Sequence, residues 1–211
     1  SYKTIKIWLD AKYRRIDIVL DNKNIARWMM KIEDKENLKK INTHFKMFEK
    51  VFEDSKYYLL SKNLNIVLSN ISMKNNDQII KDVKKLISKN INNKRWLSLP
   101  HKVNKHIQKN ILLIKPIKNS TQVTVGYLAM EVNPQKEFTK ILQNGRIGDS
   151  GETYAFNKEL QLISNSRFDD QLKKTGLLKQ DQGSLLNIEI KTKDKQPTLL
   201  ASKILEKTSG V

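Results

Sequence analysis

One stretch of this chain is written twice. Residues 55–70, SKYYLLSKNLNIVLSN, and residues 151–166, GETYAFNKELQLISNS, match at an offset of 96 positions. Tyr58 falls on Tyr154, Lys62 on Lys158 and Leu64 on Leu160, while Leu60, Ile66 and Val67 fall on Phe156, Leu162 and Ile163. Each copy sets apolar residues on either side of a short polar run, at Ser61-Lys62-Asn63 and at Asn157-Lys158-Glu159. That is the pattern of two strands around a turn. A helical stretch precedes each copy. The chain is therefore expected to contain two copies of one structural unit, each hairpin supplying the first two strands of its own sheet.

The segments between these landmarks fill in the plan. Residues 2–32 carry Ile5, Trp8, Leu9, Ile16, Val19, Leu20, Ile25, Ala26, Met29 and Met30 at helical spacing, which predicts one long amphipathic helix. Such a helix spans roughly 45 Å, more than one small domain needs, so it is expected to project as a spine. Residues 35–53 predict a second helix, with Leu38, Ile41, Phe45, Phe48 and Phe52 on one side. After the first hairpin, 77–91 reads as a helix with Ile80, Val83, Leu86 and Ile87 inward. RWLSLP, NILLIKPI and QVTVGYLAMEV then read as strands. The pattern restarts at Pro134, a residue favoured at helix starts, with QKEFTKILQ as a helix and Gly145 as its stop. The second hairpin, one strand (SLLNIEIK) and a helical PTLLASKILEK complete the chain. The fold class is α+β: a long N-terminal helix plus tandem antiparallel sheets flanked by helices, the second unit incomplete. The divisions are a helical spine and linker helix over 1–53, a first domain over 54–133 and a second, partial one over 134–211.

Composition narrows the function. At 211 residues and 38% hydrophobic, the chain can bury one good core or two small ones. The absence of Cys excludes a disulfide scaffold and any thiolate metal site without fixing the compartment. No apolar run is long enough to span a membrane, and no signal peptide is visible. The sequence opens inside a helical pattern and ends without a helix stop, as a piece of a larger protein would. Its net charge of +18 is concentrated: residues 71–118 hold 12 Lys/Arg against 2 Asp/Glu. Ordinary solvated faces account for such a surplus, and so does attraction to anionic ligands or lipid headgroups. Nucleic-acid binding calls for clustered Arg and interleaved aromatic residues, and this segment offers mostly Lys with Trp96 as its one aromatic, so no nucleic-acid partner is expected.

Catalysis finds no footing either. His44, His101 and His106 lack metal-ligand spacing, and there is no phosphate-binding loop, nucleophile elbow or paired-carboxylate constellation. Neither enzyme activity, nor a metal, nor a cofactor is expected.

Residues 141–172, ILQNGRIGDSGETYAFNKELQLISNSRFDDQL, carry the elements G-[RK]-x-G-x-[ST]-G-E-T-Y-x-F and S-R-F-D. With the helical spine and the repeated helix-hairpin unit, they resemble the double Cache (PAS-like) sensor domains of bacterial transmembrane receptors. The resemblance covers most of the chain, at the level of architecture for 1–132 and of motif for 141–172. It implies a periplasmic domain of an inner-membrane protein, flanked by transmembrane helices and placed ahead of a kinase, cyclase or chemoreceptor output module. It also implies a small-molecule pocket, usually in the membrane-distal unit, and a homodimer formed along the N-terminal helix.

In amino-acid-binding members of that family an R-x-W-Y motif supplies a carboxylate clamp and an aromatic wall, and an acidic residue of the last strand holds the amine. Here the run is Lys94-Arg95-Trp96-Leu97: Trp96 matches, Lys94 stands where Arg is expected and Leu97 replaces Tyr. Glu131 in VGYLAMEV takes the acidic place. The expected site residues are Lys94, Arg95, Trp96, Tyr127 and Glu131, receiving an amino acid or an organic acid. Trp96 and Tyr127 are equally readable as core residues, and Glu131 as an exposed strand residue. Arg167 is either an anion clamp in the second domain or a turn residue paired with Asp169 or Asp170. Glu152 and Tyr154 read as packing residues of the junction and hairpin.

Overall fold

A computed structural model describes residues 2–52, 55–71, 77–89, 93–103, 106–136, 138–143 and 152–207. They fall into two compact units. One comprises 6–98 and 111–132, the other 1–5, 99–110 and 133–211.

The first unit begins with α1 (Tyr2–Leu20) and α2 (Lys23–Met30), so the single helix expected over 2–32 is interrupted. At the interruption Asn22 adopts an extended backbone, and its side chain accepts a hydrogen bond from the Asn24 N–H, capping α2. The apolar stripe stays in phase across the break: Ile16, Val19, Ile25 and Met29 are all buried. Helix α3 (Lys35–Met47) is capped by Asp34 in the same way and supplies His44 to the joint. The His44 Nε2 lies 2.7 Å from the Val19 carbonyl oxygen, one of the acceptors that a helix C-terminus leaves without a partner. A carbonyl only accepts, so Nε2 carries the proton, and Nδ1 accepts from the Asn22 side-chain amide 3.4 Å away. The helix expected over 35–53 gives way to a 3₁₀ turn at Glu49–Phe52. Ile41, Phe45 and Phe52 are buried as the pattern requires, but Leu38 is 39% exposed.

The sheet of this unit uses β1 (Ser55–Ser61), β2 (Ile66–Ser69), β3 (Trp96–Ser98), β6 (Ile111–Lys118) and β7 (Thr124–Val132). Its order is β2-β1-β7-β6-β3, antiparallel at each pairing. Between β2 and β3 runs α4 (Asp77–Lys89). Helix α2 packs on β6 and β7, and α4 packs against β3. Strand alternation separates the two sheet faces. On the α4 side, Ile79, Val83 and Ile87 meet Tyr58, Leu60, Trp96, Leu112, Ile114, Tyr127 and Ala129. In β7, Gly126 allows a close approach: a Cβ there would lie 2.6 Å from the Leu60 carbonyl oxygen and 2.7 Å from the Met29 methyl carbon.

The second unit has a short hairpin of β4 (His101–Val103) and β5 (His106–Gln108), which the sequence pattern did not reveal. It also holds α5 (Phe138–Gln143), α6 (Asp169–Lys174) and α7 (Leu199–Lys207). The repeat survives in its turns. In the first hairpin the Ser61 N–H donates to Asn65 O and the Leu64 N–H to Ser61 O; the same bonds recur at Asn157, Gln161 and Leu160. Leu64 and Leu160 both have positive φ, 63° and 65°. The flanking pair Leu60↔Ile66 recurs as Phe156↔Leu162. Beyond this pair the second hairpin joins no continuous strand among the described residues. The segment read as a strand, SLLNIEIK, turns at Ser184–Asn187, with Leu186 at φ 62°, and then contributes isolated bridges at Glu189 and Lys191. Gly145, read as a helix stop, and the glycine-rich 145–151 part of the motif lie outside the described residues.

Candidate functional site

The antiparallel register collects the expected site residues row by row. Trp96 of β3 pairs with Ile114, Ile114 with Ala129, and Ala129 with Tyr58. Two residues along, Ser98 pairs with Leu112, Leu112 with Glu131, and Glu131 with Lys56. Trp96, Tyr127 and Glu131 therefore share the α4 face of the sheet. Trp96 and Tyr127 are 5% and 6% exposed and meet edge to face, with ring centroids 5.9 Å apart. That geometry favours an aromatic pair. Glu131 is 9% exposed and accepts a hydrogen bond of 2.9 Å from the Tyr58 hydroxyl, with the Lys56 ammonium at 3.9 Å.

Arg95 goes the other way. It precedes Trp96 by one residue, and its guanidinium lies over the Tyr13 ring at 4.7 Å and 3.1 Å from the Asp10 carboxylate, both on α1. Tyr13 donates a 2.6 Å hydrogen bond to the Trp96 carbonyl oxygen, which fixes α1 to the β3 edge. Lys94 is exposed and lies in a bend ahead of β3. Of the two cations ahead of Trp96, Arg95 is thus committed to α1, while Lys94 is left exposed.

Burial makes several tyrosines here harder to ionise. The Tyr58 hydroxyl is pushed well above its usual range by desolvation first, and then by the Glu131 charge and the hydrogen bond to it. Tyr13 is raised by desolvation, which the nearby Arg95 partly offsets, and Tyr127 by desolvation alone. Tyr58 and Lys56 were not among the expected site residues. Their cross-strand register against β7 is what brings them to Glu131, and a single sequence does not display register.

In the second unit Glu152 accepts hydrogen bonds from the Ser166 hydroxyl and the Arg167 backbone N–H, at 2.8 and 2.7 Å, which ties the motif's E-T-Y to its S-R-F-D. The Arg167 guanidinium lies over the Phe168 ring at 5.2 Å. The described residues contain no cluster of His, Cys, Asp and Glu that could hold a metal ion. No helix among them is long and apolar enough to cross a membrane.

No protein-family model matches the sequence, and no curated protein matches it either. The fold is similar to those of solved ligand-binding domains of chemoreceptors and of a solved periplasmic domain. The ligand-binding domain of the Pseudomonas fluorescens chemoreceptor CtaA, in complex with L-isoleucine, shares 13% identity over 77% of this chain and 62% of that one, with a TM-score of 0.47. The ligand-binding domain of the Campylobacter jejuni chemoreceptor Tlp3, in complex with L-valine, shares 13% identity over 77% and 73%, with a TM-score of 0.45. The periplasmic domain of Vibrio cholerae LuxQ shares 12% identity over 78% and 77%, with a TM-score of 0.41. The chain thus spans less than two thirds of the length of that CtaA domain.

Proposed function

We propose that this chain is the extracytoplasmic ligand-sensing part of a transmembrane signalling receptor and binds a small anionic or zwitterionic molecule. Residues 54–133, of which 99–110 cluster with the second unit, are the membrane-distal, ligand-binding domain, and 134–211 the membrane-proximal one. The observation that supports the reading is the gathering of Trp96, Tyr127 and Glu131 on one face of a five-stranded sheet. An aromatic wall beside a largely covered carboxylate is what a zwitterion with an apolar side chain needs. Trp96 and Tyr127 form the wall, Glu131 accepts the amine, and Lys94 meets the carboxylate, while Arg95 holds α1 in place. Both rings are covered by the α4 side of the core, so ligand entry moves α4 against the sheet. The ligand shifts the population of that movement, and α1 relays it toward the membrane.

The test is a thermal-shift screen with amino acids, carboxylates and purines, followed by titration of variants with the best ligand. A ligand that binds the folded state alone must raise the melting temperature. A charge-assisted hydrogen bond is worth about 1.5–3 kcal/mol, so Lys94→Ala should weaken binding roughly tenfold to a hundredfold. Glu131→Gln should weaken amino acids and spare organic acids, Trp96→Phe should weaken both, and Arg95→Ala should change affinity little. Unchanged affinity in the Lys94, Glu131 and Trp96 variants would remove the site from this face.

A second reading rests on the solvent side of α4, where Lys81, Lys84, Lys85 and Lys89 are exposed with no acidic partner among the described residues. In that reading no small molecule binds, and the basic face docks an acidic partner or anionic headgroups. No selective rise in melting temperature from any compound, together with salt-sensitive retention on anionic vesicles, would favour it.

A further inference from the structure

The joint between α1 and α2 borders a cavity of about 590 Å³. Its walls come from α1, the first turn of α2 and the end of β6. These helices do not belong to the Trp96 face. Of the β6 residues that line the cavity, Lys115 and Ile117 have parity opposite to that of Leu112 and Ile114, while Pro116, paired with Tyr127, has the parity of the Trp96 face. The volume lies within the range of small-molecule sites. Four cations line it, and three of them, Arg14, Lys23 and Lys118, have no acidic partner within ion-pair distance among the described residues. Of the two lining carboxylates, Asp17 is already paired with Lys115, which leaves Asp21 alone against the three. Ile25, Ala26 and Pro116 supply an apolar side. The walls are also held in advance, since His44 ties Val19 to Asn22 and the Asp17–Lys115 pair ties α1 to β6. Walls fixed before binding cost the ligand less ordering.

The geometry points to a second small-molecule site at this joint, one that takes a small organic anion: a carboxylate or phosphate carried on a short apolar body. The anionic group sits among Arg14, Lys23 and Lys118, and the apolar body lies against Ile25, Ala26 and Pro116. Such an occupant touches α1 and α2 together and stiffens the joint between them, so it acts on α1, the helix that relays a ligand on the Trp96 face.

Succinate and phenyl phosphate are the probes, titrated separately into the whole chain by calorimetry at physiological salt. At least one should bind saturably. Its affinity should fall tenfold or more in the Arg14→Ala/Lys118→Ala variant and stay within twofold in Lys94→Ala and Glu131→Gln. The two alanine substitutions fall on exposed side chains, and circular dichroism and the melting temperature of the variant verify its fold. A Lys81→Ala/Lys84→Ala variant on α4 serves as the charge control. No saturable binding of either probe overturns the proposal. An equal loss in the α4 variant shows unspecific charge attraction and also overturns it, as does a loss confined to Lys94→Ala and Glu131→Gln. Failure of the Trp96 site in its own titrations leaves this experiment unaffected.

Discussion

Four residues, Leu64, Gln122, Leu160 and Lys195, sit at φ between 60° and 65°, each as the fourth residue of a five-residue turn. In all four turns the first residue is Ser61, Asn119, Asn157 or Thr192, and its side-chain oxygen accepts a hydrogen bond from the fifth residue's N–H. Left-handed backbone costs an L-residue about 1–2 kcal/mol, and only glycine adopts it freely. Gln122 is exposed and contributes no core packing. Gln122→Gly should therefore stabilise the chain by about 0.5–1 kcal/mol after the extra entropy of glycine in the unfolded state is deducted, raising Tm by a few degrees. A lower Tm would show that the turn does not hold that φ. Gly126 runs the opposite way. A Cβ at 2.6 Å from the Leu60 carbonyl oxygen meets backbone that cannot step aside, so Gly126→Ala should cost about 1–3 kcal/mol in denaturant unfolding. Unchanged stability would mean that β1 and β7 are not packed in this register. The sequence marks the position, since a glycine inside VGYLAMEV signals a close approach, but not the partners, which depend on register.

At the scale of elements, what repeats with a short period was readable and what depends on pairing was not. The helical stripe through 2–32 was legible because Ile16, Val19, Ile25 and Met29 keep helical phase. The interruption at Asp21-Asn22 preserves that phase, so the period cannot report it, and only the capping residue Asn22 hints at it. The resemblance named Trp96, Tyr127 and Glu131 as candidates, but the register of β3, β6 and β7 that sets them on one face, like the β1–β7 register behind the Tyr58–Glu131 hydrogen bond, is not displayed by a single sequence. The β4–β5 hairpin escaped notice because HKVNKHIQ is too polar to stand out as strands. The packing of these elements has a common readout in tyrosine ionisation. Tyr13, Tyr57, Tyr58 and Tyr127, four of the six tyrosines, are held above the usual value, chiefly by desolvation. In the unfolded chain they ionise near pH 10, as model peptides do. Their folded-state values are higher, so the stability they contribute is full below about pH 10 and is lost as pH rises beyond it. Absorbance at the phenolate band should show these four ionising only as the circular dichroism signal collapses. Ionisation near pH 10 with the fold intact would contradict their burial.

On the scale of the whole molecule, the N-terminal helix carries an apolar surface that its own core does not use. Ile7 and Ile18 are 61% and 54% exposed on α1. They stand eleven residues apart, about three turns, and so on one side of the helix. Arg14, one of the cations at the joint cavity, is exposed on the same side between them, so the two isoleucines flank that cation; a second copy of the same helix can meet this side, because the opposite side is already buried. We infer a parallel dimer along α1, the arrangement in which identical positions face each other across a two-fold axis. Because the chain has no cysteine, a single introduced thiol reports without background. In this chain, Ile7→Cys and Ile18→Cys should each give a disulfide-linked dimer under mild oxidation. Lys40→Cys, exposed on α3, should not. A disulfide requires Cβ atoms about 3.5–4.5 Å apart, so same-residue crosslinks at both positions demand parallel helices in direct contact. An antiparallel pair would instead link Cys at position 7 of one copy to Cys at position 18 of the other, and only when the two variants are mixed. That result, or no crosslink at either position, would rule out the parallel dimer.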